Sequence, residues 1–383
     1  MRRIAMLLVA IVAGVLVATG VGLAASSSDS QQQTSSVEKD TKVTVMTRNV
    51  YHGVDAEFAQ AIAAPDFPTF LTATAAVYNG YHKRNFPERA AGLAAEIEAT
   101  HPDVVGLQEA IKVRTDRPPN GTPPLAEEVS LDYLQILLDK LQDRGLHYEP
   151  VVQQDNFDIE APADENSDGI PDFELRHTDR IAMLVRTDNP DLTVLGKNSG
   201  HFQTNCLLRT RSNPTHPIEI VRGWTSVDLS IRGKAVRLIN THLDGDCADR
   251  DPTIQLAQAQ EILQGPVKEA RDQGLPVILL GDLNSKADGS GTQTYAELLK
   301  PKVGFVDAWT QGGSGKGLTC CQDDFLLKTT DFQDRRDYVL FGRGPFQVIN
   351  AQLVGADPIT TPSGLRWPSD HAGVVARLNL PPE

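Results

Sequence analysis

The segment PVILLGDLNS, residues 276–285, indicates the fold more directly than any other part of the sequence. Its apolar half, Pro276–Leu280, has the length and composition of a buried β-strand. Gly281 and Asp282 follow the strand directly, and Asn284 comes two residues later. In layered α/β proteins, ligand-binding side chains gather where strands end, because loops there present them without interrupting the sheet. The segment therefore predicts an α/β protein with a site just beyond this strand.

Other apolar strands end in the same way. The predicted strand Lys42–Val50 carries Asn49 near its end, and Asp103–Gln108 is followed by Glu109. The predicted strand Ala235–His242 ends in a histidine. Runs rich in β-branched residues predict further strands. These are Arg180–Arg186, Ile218–Ser230, Tyr338–Phe341, Gln347–Val354 and Ala372–Leu378.

Three helices are predicted between these strands. Pro87–Thr100 begins with Pro and Glu, as many helices do, Leu125–Arg144 is closed by Gly145, and Thr253–Asp272 is the third. Strands and helices do not alternate strictly along the chain. This mixture favours β-sheets packed against each other with helices outside.

The composition of the chain limits the classes of function. The 383 residues include 36 Lys and Arg against 50 Asp and Glu, which gives a formal net charge of −14. A general polyanion-binding surface is therefore excluded, because affinity for phosphates depends mainly on cationic neutralisation. A local site that handles phosphate through a bound metal ion remains compatible with this charge. Hydrophobic residues make up 40% of the chain, which excludes a wholly disordered protein.

The N-terminus has the layout of a secretory signal peptide. Arg2 and Arg3 precede an apolar run, Ile4–Ala25, that closes with small residues. We therefore expect a signal peptide over residues 1–25 and a secreted protein. Because the run is also about long enough to span a bilayer, a retained N-terminal membrane anchor is the alternative. Residues 26–41 are polar and predict a linker, so residues 42–383 form the predicted folded domain.

Four cysteines remain in that domain. They are Cys206, Cys247, Cys320 and Cys321. Export makes disulfides the expected state, and four cysteines allow three connectivities. One of these joins two adjacent residues, which is uncommon. The sequence does not select among the three.

Several carboxylates and histidines stand beside apolar segments instead of in charge-rich stretches. Glu109, Asp282 and Asp370 are oxygen donors of the kind that Mg²⁺ or Mn²⁺ prefers. His242 and His371 could divide the acid and base work of a hydrolysis. Taken singly, each of these residues is more often structural than catalytic. Their function therefore has to be judged from the whole set.

The order of six short motifs along the chain carries a family resemblance. They are Asn49 in MTRNV, Glu109 in GLQEA, His242 in NTHLD, Asp282 and Asn284 in LLGDLNS, Asp337 in RRDYVLF, and Asp370 with His371 in PSDHAGV. In this order they resemble the endonuclease/exonuclease/phosphatase superfamily. The resemblance runs from about Thr44 to Leu378 and so covers nearly all of residues 42–383.

The resemblance implies a fold and an activity. The expected fold is a four-layer α/β/β/α sandwich in which two mixed β-sheets pack together under outer helices. The expected activity is divalent-metal-dependent hydrolysis of a phosphodiester, as in nucleases, by in-line attack of water. A phosphatase, or a phospholipase C or sphingomyelinase type of hydrolase, is the first alternative. A catalytically silent binding protein is the second. The expected state is a monomer whose partner is its phosphoester substrate.

The resemblance also implies a role for each motif residue. Asn49, Glu109 and Asp370 are expected at the Mg²⁺ or Mn²⁺ ion. Asp282 and Asn284 are expected to contact the scissile phosphate and the attacking water. The expected catalytic histidines are His242, at the phosphate or leaving group, and His371, as general base oriented by Asp337.

One position departs from the family pattern. Deoxyribonuclease-like members carry an acidic partner for the first histidine just before the strand that here begins at Arg180, and this chain offers Asp179. Several arginines could contact phosphate outside the metal, because arginine suits bidentate phosphate binding, and Arg222 is the first of them to test. The other arginines considered are Arg209, Arg211, Arg335 and Arg336.

A second ion site is predicted in the segment DENSDGIPDFE, residues 164–174. Oxygen-bearing side chains recur at Asp164, Asn166 and Asp168, and Asp172 follows. Such spacing, with Gly169 at the turn, is typical of a Ca²⁺ loop. Leu175 occupies the position where an EF-hand has its closing Glu, so an EF-hand is not predicted. The alternative is a solvated acidic loop.

Overall fold

The computed structural model describes residues 41–121, 125–211, 215, 217–245, 247, 251–327, 331–342 and 346–380. The predicted signal peptide lies outside the described residues, as does the predicted linker except for Thr41. The first strand begins at Lys42. Within the described ranges, none of the helices has the length and apolar character needed to cross a bilayer.

The larger β-sheet has eight strands within the described part of the chain. They are β1 (Lys42–Asn49), β2 (Val104–Gln108), β3 (Lys112–Asp116), β4 (Glu128–Asp132), β5 (Tyr148–Ala163), β6 (Phe173–Arg186), β15 (Gln347–Val354) and β18 (Gly373–Asn379). Their order is β15-β18-β1-β2-β6-β3-β4, with β5 paired to β6. Strand β1 is parallel to β2 and antiparallel to β18, so the sheet is mixed.

The smaller sheet has six strands in the same described ranges. They are β7 (Leu192–His201), β10 (Gly223–Ile231), β11 (Lys234–His242), β12 (Val277–Asp282), β13 (Phe305–Asp307) and β14 (Asp337–Gly342). Their order is β13-β14-β12-β11-β10-β7, and β11 is parallel to β12. Two hairpins stand apart from both sheets. They are β8 (Cys206–Leu208) with β9 (Ile218–Ile220), and β16 (Ile359–Thr361) with β17 (Gly364–Arg366).

Eight helices occur in the described residues. They are α1 (Asp55–Ala63), α2 (Phe67–Arg84), α3 (Phe86–Thr100), α4 (Tyr133–Asp143), α5 (Pro252–Gln264), α6 (Pro266–Asp272), α7 (Thr294–Leu298) and α8 (Ala308–Gly312). The single helix predicted over Leu125–Arg144 is wrong in its first part, because residues 128–132 pair with β3 as strand β4. The helix predicted over Thr253–Asp272 is interrupted at Gly265, because Pro266 cannot continue the hydrogen bonding of a helix.

The strands have one apolar face toward the other sheet and one toward helices. In β12, Ile278 and Leu280 pack between the two sheets, whereas Val277 and Leu279 pack on the opposite face with residues of α5 and α6. The larger sheet packs its other face against α2, α3 and α4. The predicted four-layer α/β/β/α sandwich is therefore confirmed.

A polar contact joins the two sheets close to the edge where β2 and β11 end. Gln108, the last residue of β2, donates from Nε2 to Oδ1 of Asn240 in β11 over 2.6 Å. The amide of Asn240 in turn donates to the carbonyl of Leu107 at 3.0 Å. Gly106 permits this approach, because a Cβ there would lie 2.7 Å from Oδ1 of Asn240. This contact fixes the ends of β2 and β11 against each other.

Both pairs of cysteines are joined. Cys206, at the start of β8, pairs with Cys247, and Cys320 pairs with its neighbour Cys321. Of the three connectivities that the sequence left open, the structure therefore has the one with the adjacent pair.

Candidate active site

The ends of β1, β2 and β12 bring three predicted site residues together. Asn49 ends β1, Glu109 follows β2, and Asp282 ends β12 in the other sheet. Nδ2 of Asn49 donates to Oε1 of Glu109 at 2.8 Å and to Oδ2 of Asp282 at 3.2 Å. Asn49 is completely buried. It therefore links the carboxylates of the two sheets at the edge where the strands end.

The parallel pairing of β11 with β12 places His242 beside Asp282. Nε2 of His242 lies 3.6 Å from Oδ2 of Asp282 and 3.1 Å from Nδ2 of Asn284. The backbone of Asn284 has a left-handed φ of 49°, and its N–H donates to Oδ1 of Asp282 at 2.8 Å. The turn after β12 therefore places the side-chain amide of Asn284 beside His242 and Asp282.

Asp337 and His371 complete the group from the other side. Asp337, at the start of β14, stands opposite Asp282 in the antiparallel register. Its Oδ2 lies 2.7 Å from Nδ1 of His371. Nε2 of His371 lies 3.8 Å from Oδ2 of Asp282. One carboxylate oxygen of Asp282 thus lies within 4 Å of Nε2 of both His242 and His371.

The surroundings shift the pKa values of His242 and His371 in opposite directions. Burial and the positive charge of Arg222 lower the pKa of His242 well below the usual range. Burial also disfavours a charged ring at His371, but Asp337 and other nearby carboxylates outweigh it and raise the pKa well above the usual range. Burial and the charge of Asp337 raise the pKa of Asp282 to about 6. Neighbouring groups whose pKa values are pushed apart are candidates for separate acid and base roles.

Arg222 stands between His242 and the residue predicted as its acidic partner. Its Nη1 donates to Oδ2 of Asp179 at 3.1 Å and lies 2.9 Å from Nδ1 of His242. Asp179 therefore does not contact His242 through these bonds; it contacts the guanidinium group of Arg222, which in turn contacts the ring of His242. The sequence pointed to Arg222 as a phosphate ligand, and its contact with His242 was not foreseen.

The sequence comparisons agree with the motifs. The model of the Endonuclease/Exonuclease/phosphatase family matches residues 49–371, from Asn49 to His371. The chain belongs to this family. None of the curated proteins compared with the sequence matches it.

Solved structures with the fold of this family are similar over most of the chain. An endonuclease/exonuclease/phosphatase family protein from Bacteroides thetaiotaomicron has 17% identity and a TM-score of 0.54, covering 89% of this chain and 95% of that one. A mannosyl-6-phosphatase from the same organism has 15% identity and a TM-score of 0.53, covering 88% and 100%. TDP2 from D. rerio, complexed with a single-strand DNA product, has 19% identity and a TM-score of 0.52, covering 89% and 100%. At these identities the similarity shows the fold.

The chemistry of Glu109 and Asp370 fits the divalent cation expected for a member of this family. Burial and the negative charge of Glu109 raise the pKa of Asp370 to about 7, although His371 opposes the shift. A cation near both groups would offset this repulsion, and carboxylate and amide oxygens are the ligands that Mg²⁺ and Mn²⁺ prefer. Oε2 of Glu109 also accepts the backbone N–H of His52 at 2.7 Å, which holds the carboxylate in place.

In the described part of the chain, the one group with metal-binding spacing that lacks a disulfide-bonded cysteine differs from the predicted trio of metal ligands. In the described ranges, the ligand atoms of Asp282, Asp337 and His371 all lie within 4.8 Å of one another. The two other groups of this kind contain disulfide-bonded cysteines. Glu109 and Asp370 belong to none of the three groups. The assignment of Asn49, Glu109 and Asp370 as metal ligands therefore stays a prediction.

Two residues at the site were given no role from the sequence, although Arg48 stands beside Asn49 at the end of a predicted strand. His52 pairs with Asp55 at 2.9 Å, and although burial opposes its charge, Asp55 and Glu109 raise its pKa to about 10. Arg48 is buried, donates to Glu96 at 2.8 Å, and contacts the carbonyl oxygen of His371. Arg48 thereby connects the loop that carries His371 to helix α3, in which Glu96 lies.

The other arginines considered as phosphate ligands have different surroundings. Arg335 is buried and pairs with Asp307, whereas Arg336 donates to Asp334 at 2.9 Å. Arg336 lies close enough to Asp282 for that carboxylate to raise its pKa, although burial opposes the rise.

The predicted calcium loop connects β5 to β6. Its carboxylates accept hydrogen bonds from the loop's own backbone. Asp164 accepts from Ser167 at 2.7 Å and from Gly169 at 2.8 Å, and Asp172 accepts from Glu165 at 2.8 Å. Among the described residues, the groups with metal-binding spacing do not include this loop. The calcium site stays a prediction, and these contacts are those of an acidic turn.

Proposed function

We propose that the protein is a divalent-metal-dependent hydrolase that cleaves a phosphodiester by in-line attack of water. Its family is one of phosphoesterases. The observation that carries the proposal is the position of Asp282, with one oxygen 3.6 Å from Nε2 of His242 and 3.8 Å from Nε2 of His371. Two histidines of opposite protonation thus face one carboxylate at the meeting point of both sheets.

Each side chain of this group has a separate task. Asp282 accepts a proton from the attacking water, and His371, whose raised pKa keeps the ring protonated, gives its Nε2 proton to the leaving oxygen while Asp337 holds the ring through Nδ1. This reverses the general-base role that the resemblance implied for His371. Asp282 and Asn284 orient the water and the scissile phosphate. His242, which is neutral, presents its Nε2–H to a phosphate oxygen or to the leaving group.

Members of the family generally depend on a divalent cation. In this chain Asn49, Glu109 and Asp370 would hold it. When bound, the ion would neutralise charge on the phosphoryl oxygens and make a nearby water more acidic. The donor set favours Mg²⁺ or Mn²⁺, because all three side chains offer oxygen atoms.

The first 25 residues support the proposal that the protein is exported, since they have the charge and apolarity of a signal peptide. The two disulfide pairs are compatible with an oxidising compartment. We propose that the exported enzyme acts as a monomer.

A substrate panel tests the proposed activity. The panel contains plasmid DNA, RNA, sphingomyelin and inositol phosphates, each with Mg²⁺ and with EDTA. The proposal expects Mg²⁺-dependent cleavage of a phosphodiester that the His371→Ala variant loses by several orders of magnitude. His147→Ala, at an exposed histidine outside the site, is the matched control and should keep full activity. Normal cleavage by His371→Ala, or no cleavage of any substrate by the wild type, would contradict the proposal.

The phospholipase C type of hydrolase is the second candidate. It is favoured by an apolar cavity beside Glu109 and Arg222, which a lipid phosphoester could use. Cleavage of sphingomyelin in preference to DNA would select this candidate. Selective release of inorganic phosphate from inositol phosphates would select a phosphatase.

A further inference from the structure

A cavity of about 420 Å³ lies beside the proposed active site. Glu109, expected at the metal ion, and Arg222, which contacts His242, both form part of its wall. The volume falls within the range of about 300–1,000 Å³ that is usual for sites of small molecules. A substrate phosphate held by these residues would therefore have the cavity next to it.

The rest of the wall is mostly apolar. Helices α1 and α2, strands β5 and β6, and the hairpin of β8 and β9 all contribute to it. Several of its large apolar side chains are only half-buried. They are Phe58, Ile62, Phe70, Phe157, Ile159 and Ile218. Such surface stays in contact with water unless an apolar group covers it, and covering it would be favourable.

Of the two histidines in this wall, His52 is charged, whereas the more buried His177 is uncharged. Burial lowers the pKa of His177 to about 3, and the positive charge of His52 adds to the effect. Its Nδ1 lies 2.7 Å from the hydroxyl of Tyr81. The ring therefore adds a neutral aromatic surface to the cavity and no charge.

We infer that this cavity binds an aliphatic chain of the substrate, so that the enzyme acts on a lipid-like phosphodiester. The inference rests on the proposed function, because it takes the phosphate site as given and adds the class of group next to it. The carboxylates of Asp55 and Asp179 in this wall are already paired with His52 and Arg222, so a ribose or a base placed among the apolar side chains would lose hydrogen bonds to water. An alkyl chain loses none and covers the half-buried side chains.

A series of substrates tests the inference through chain length. Methyl, butyl and octyl 4-nitrophenyl phosphate share the reacting group and differ only in the alkyl chain. We expect kcat/KM to rise with chain length, by about fourfold for each methylene that becomes buried. A flat series, or one in which the methyl compound is best, would overturn the inference.

Two alanines of α1 provide a matched pair of variants. Ala59 and Ala63 are both exposed, but only Ala59 lines the cavity. We expect Ala59→Phe to abolish the preference for the octyl compound, so that kcat/KM no longer rises from the methyl to the octyl compound. Ala63→Phe should leave the whole series as in the wild type. Equal effects of the two substitutions would overturn the inference.

Binding of inert ligands separates this inference from the proposed function. Calorimetry with methyl-, butyl- and octylphosphonate in the presence of Mg²⁺ measures affinity without turnover. Tighter binding of the longer phosphonates, lost in Ala59→Phe, would support the cavity even if no ester were hydrolysed, in which case only the proposed function would fail. Turnover of all three esters with phosphonate affinities independent of chain length would overturn the cavity inference alone.

Discussion

Nη1 of Arg222 lies 2.9 Å from Nδ1 of His242. A guanidinium group can only donate, so Nδ1 of the ring must accept. The neutral ring then carries its proton on Nε2, which lies 3.6 Å from Oδ2 of Asp282, so the 3.1 Å contact of Nε2 with Nδ2 of Asn284 joins two donors and is not a hydrogen bond. Asp179 on the other side of the guanidinium holds Arg222 in place. The arginine thus selects one tautomer of His242 and disfavours its protonated form.

Replacing Arg222 by methionine should change the titration of His242. Burial remains in the variant but the positive charge is lost, so the pKa of His242 should rise and the ring should take up a proton at higher pH than in the wild type. Since the tautomer is also no longer fixed, kcat should fall by about 10–100-fold. NMR of histidine-labelled protein measures the titration. Arg232→Met, at an exposed arginine paired with Asp191, is the control. An unchanged titration in Arg222→Met would refute this account.

Asp337 should matter for rate more than for substrate binding. Its Oδ2 lies 2.7 Å from Nδ1 of His371 and fixes the orientation of the ring. Asp337→Asn should therefore lower kcat by about 10–100-fold with little change in KM. Asp331→Asn, at an exposed position, serves as the control in the same steady-state assay. A kcat near that of the wild type would show that His371 needs no such partner.

The sequence identified the residues at strand ends because neighbouring parallel strands end at the same edge of a sheet. Asn49 and Glu109 follow β1 and β2, and His242 and Asp282 end β11 and β12. The contact of Arg222 with His242 depends on the antiparallel register of β10 and β11. The two-residue turn Arg232-Gly233 fixes that register, but Arg222 lies just before β10, so the position of its side chain depends on its tertiary contact with Asp179 and not on a local pattern in the sequence.

The elements that were missed have the same explanation. Strand β5, Tyr148–Ala163, was not predicted because its many polar, half-exposed residues obscure the alternation of a strand. Its long antiparallel pairing with β6 holds it in place. In β4, Val129 and Leu131 also suit the periodicity of a helix, and only pairing with β3 decides for a strand. Local propensity is overridden where a neighbouring strand offers hydrogen bonds.

Asp282 should destabilise the metal-free protein above about pH 6 while being needed for activity. Its pKa is about 6 in the folded protein against 3.8 as the reference value, so the folded state holds the proton more tightly. The stability from this proton is complete below pH 3.8 and is lost as the pH rises through about 6. In EDTA at pH 8, Asp282→Asn should therefore be more stable than the wild type by roughly 1–3 kcal/mol, and inactive. Urea unfolding at both ends of this pH range measures the difference, which should be absent or reversed near pH 3.5. If the free energies of unfolding of Asp282→Asn and the wild type differed by the same amount at both pH values, the raised pKa of Asp282 would be contradicted.

Glu109 should be required for the response to a cation. Its charge raises the pKa of Asp370, and a bound cation would relieve this repulsion. Mn²⁺ should therefore raise the Tm of the wild type, and Glu109→Gln should lose most of that increase. Glu128→Gln, at an exposed position in β4, should respond like the wild type. If Glu109→Gln kept the full increase in Tm, the cation would have to be held elsewhere, for instance by Asp282 and Asp337.

His177 should make the protein sensitive to acid. Its pKa of about 3 in the folded protein lies below the reference value of 6.5, because burial excludes the charged ring. Between these two pKa values, the unfolded chain therefore binds a proton at His177 that the folded protein does not bind. This contribution to stability is complete above pH 6.5 and is lost as the pH falls toward 3.

The His177→Gln variant isolates this effect, because glutamine can still accept from the hydroxyl of Tyr81 but does not titrate. Between about pH 6 and pH 4, the free energy of unfolding of the wild type should fall relative to the variant by about 1.4 kcal/mol per pH unit. Urea unfolding across this range measures the slope. His147→Gln, at an exposed histidine, should run parallel to the wild type. If His177→Gln also ran parallel to it, the buried ring would have to be protonated in the folded protein, and His177 would add a positive charge to the wall of the cavity.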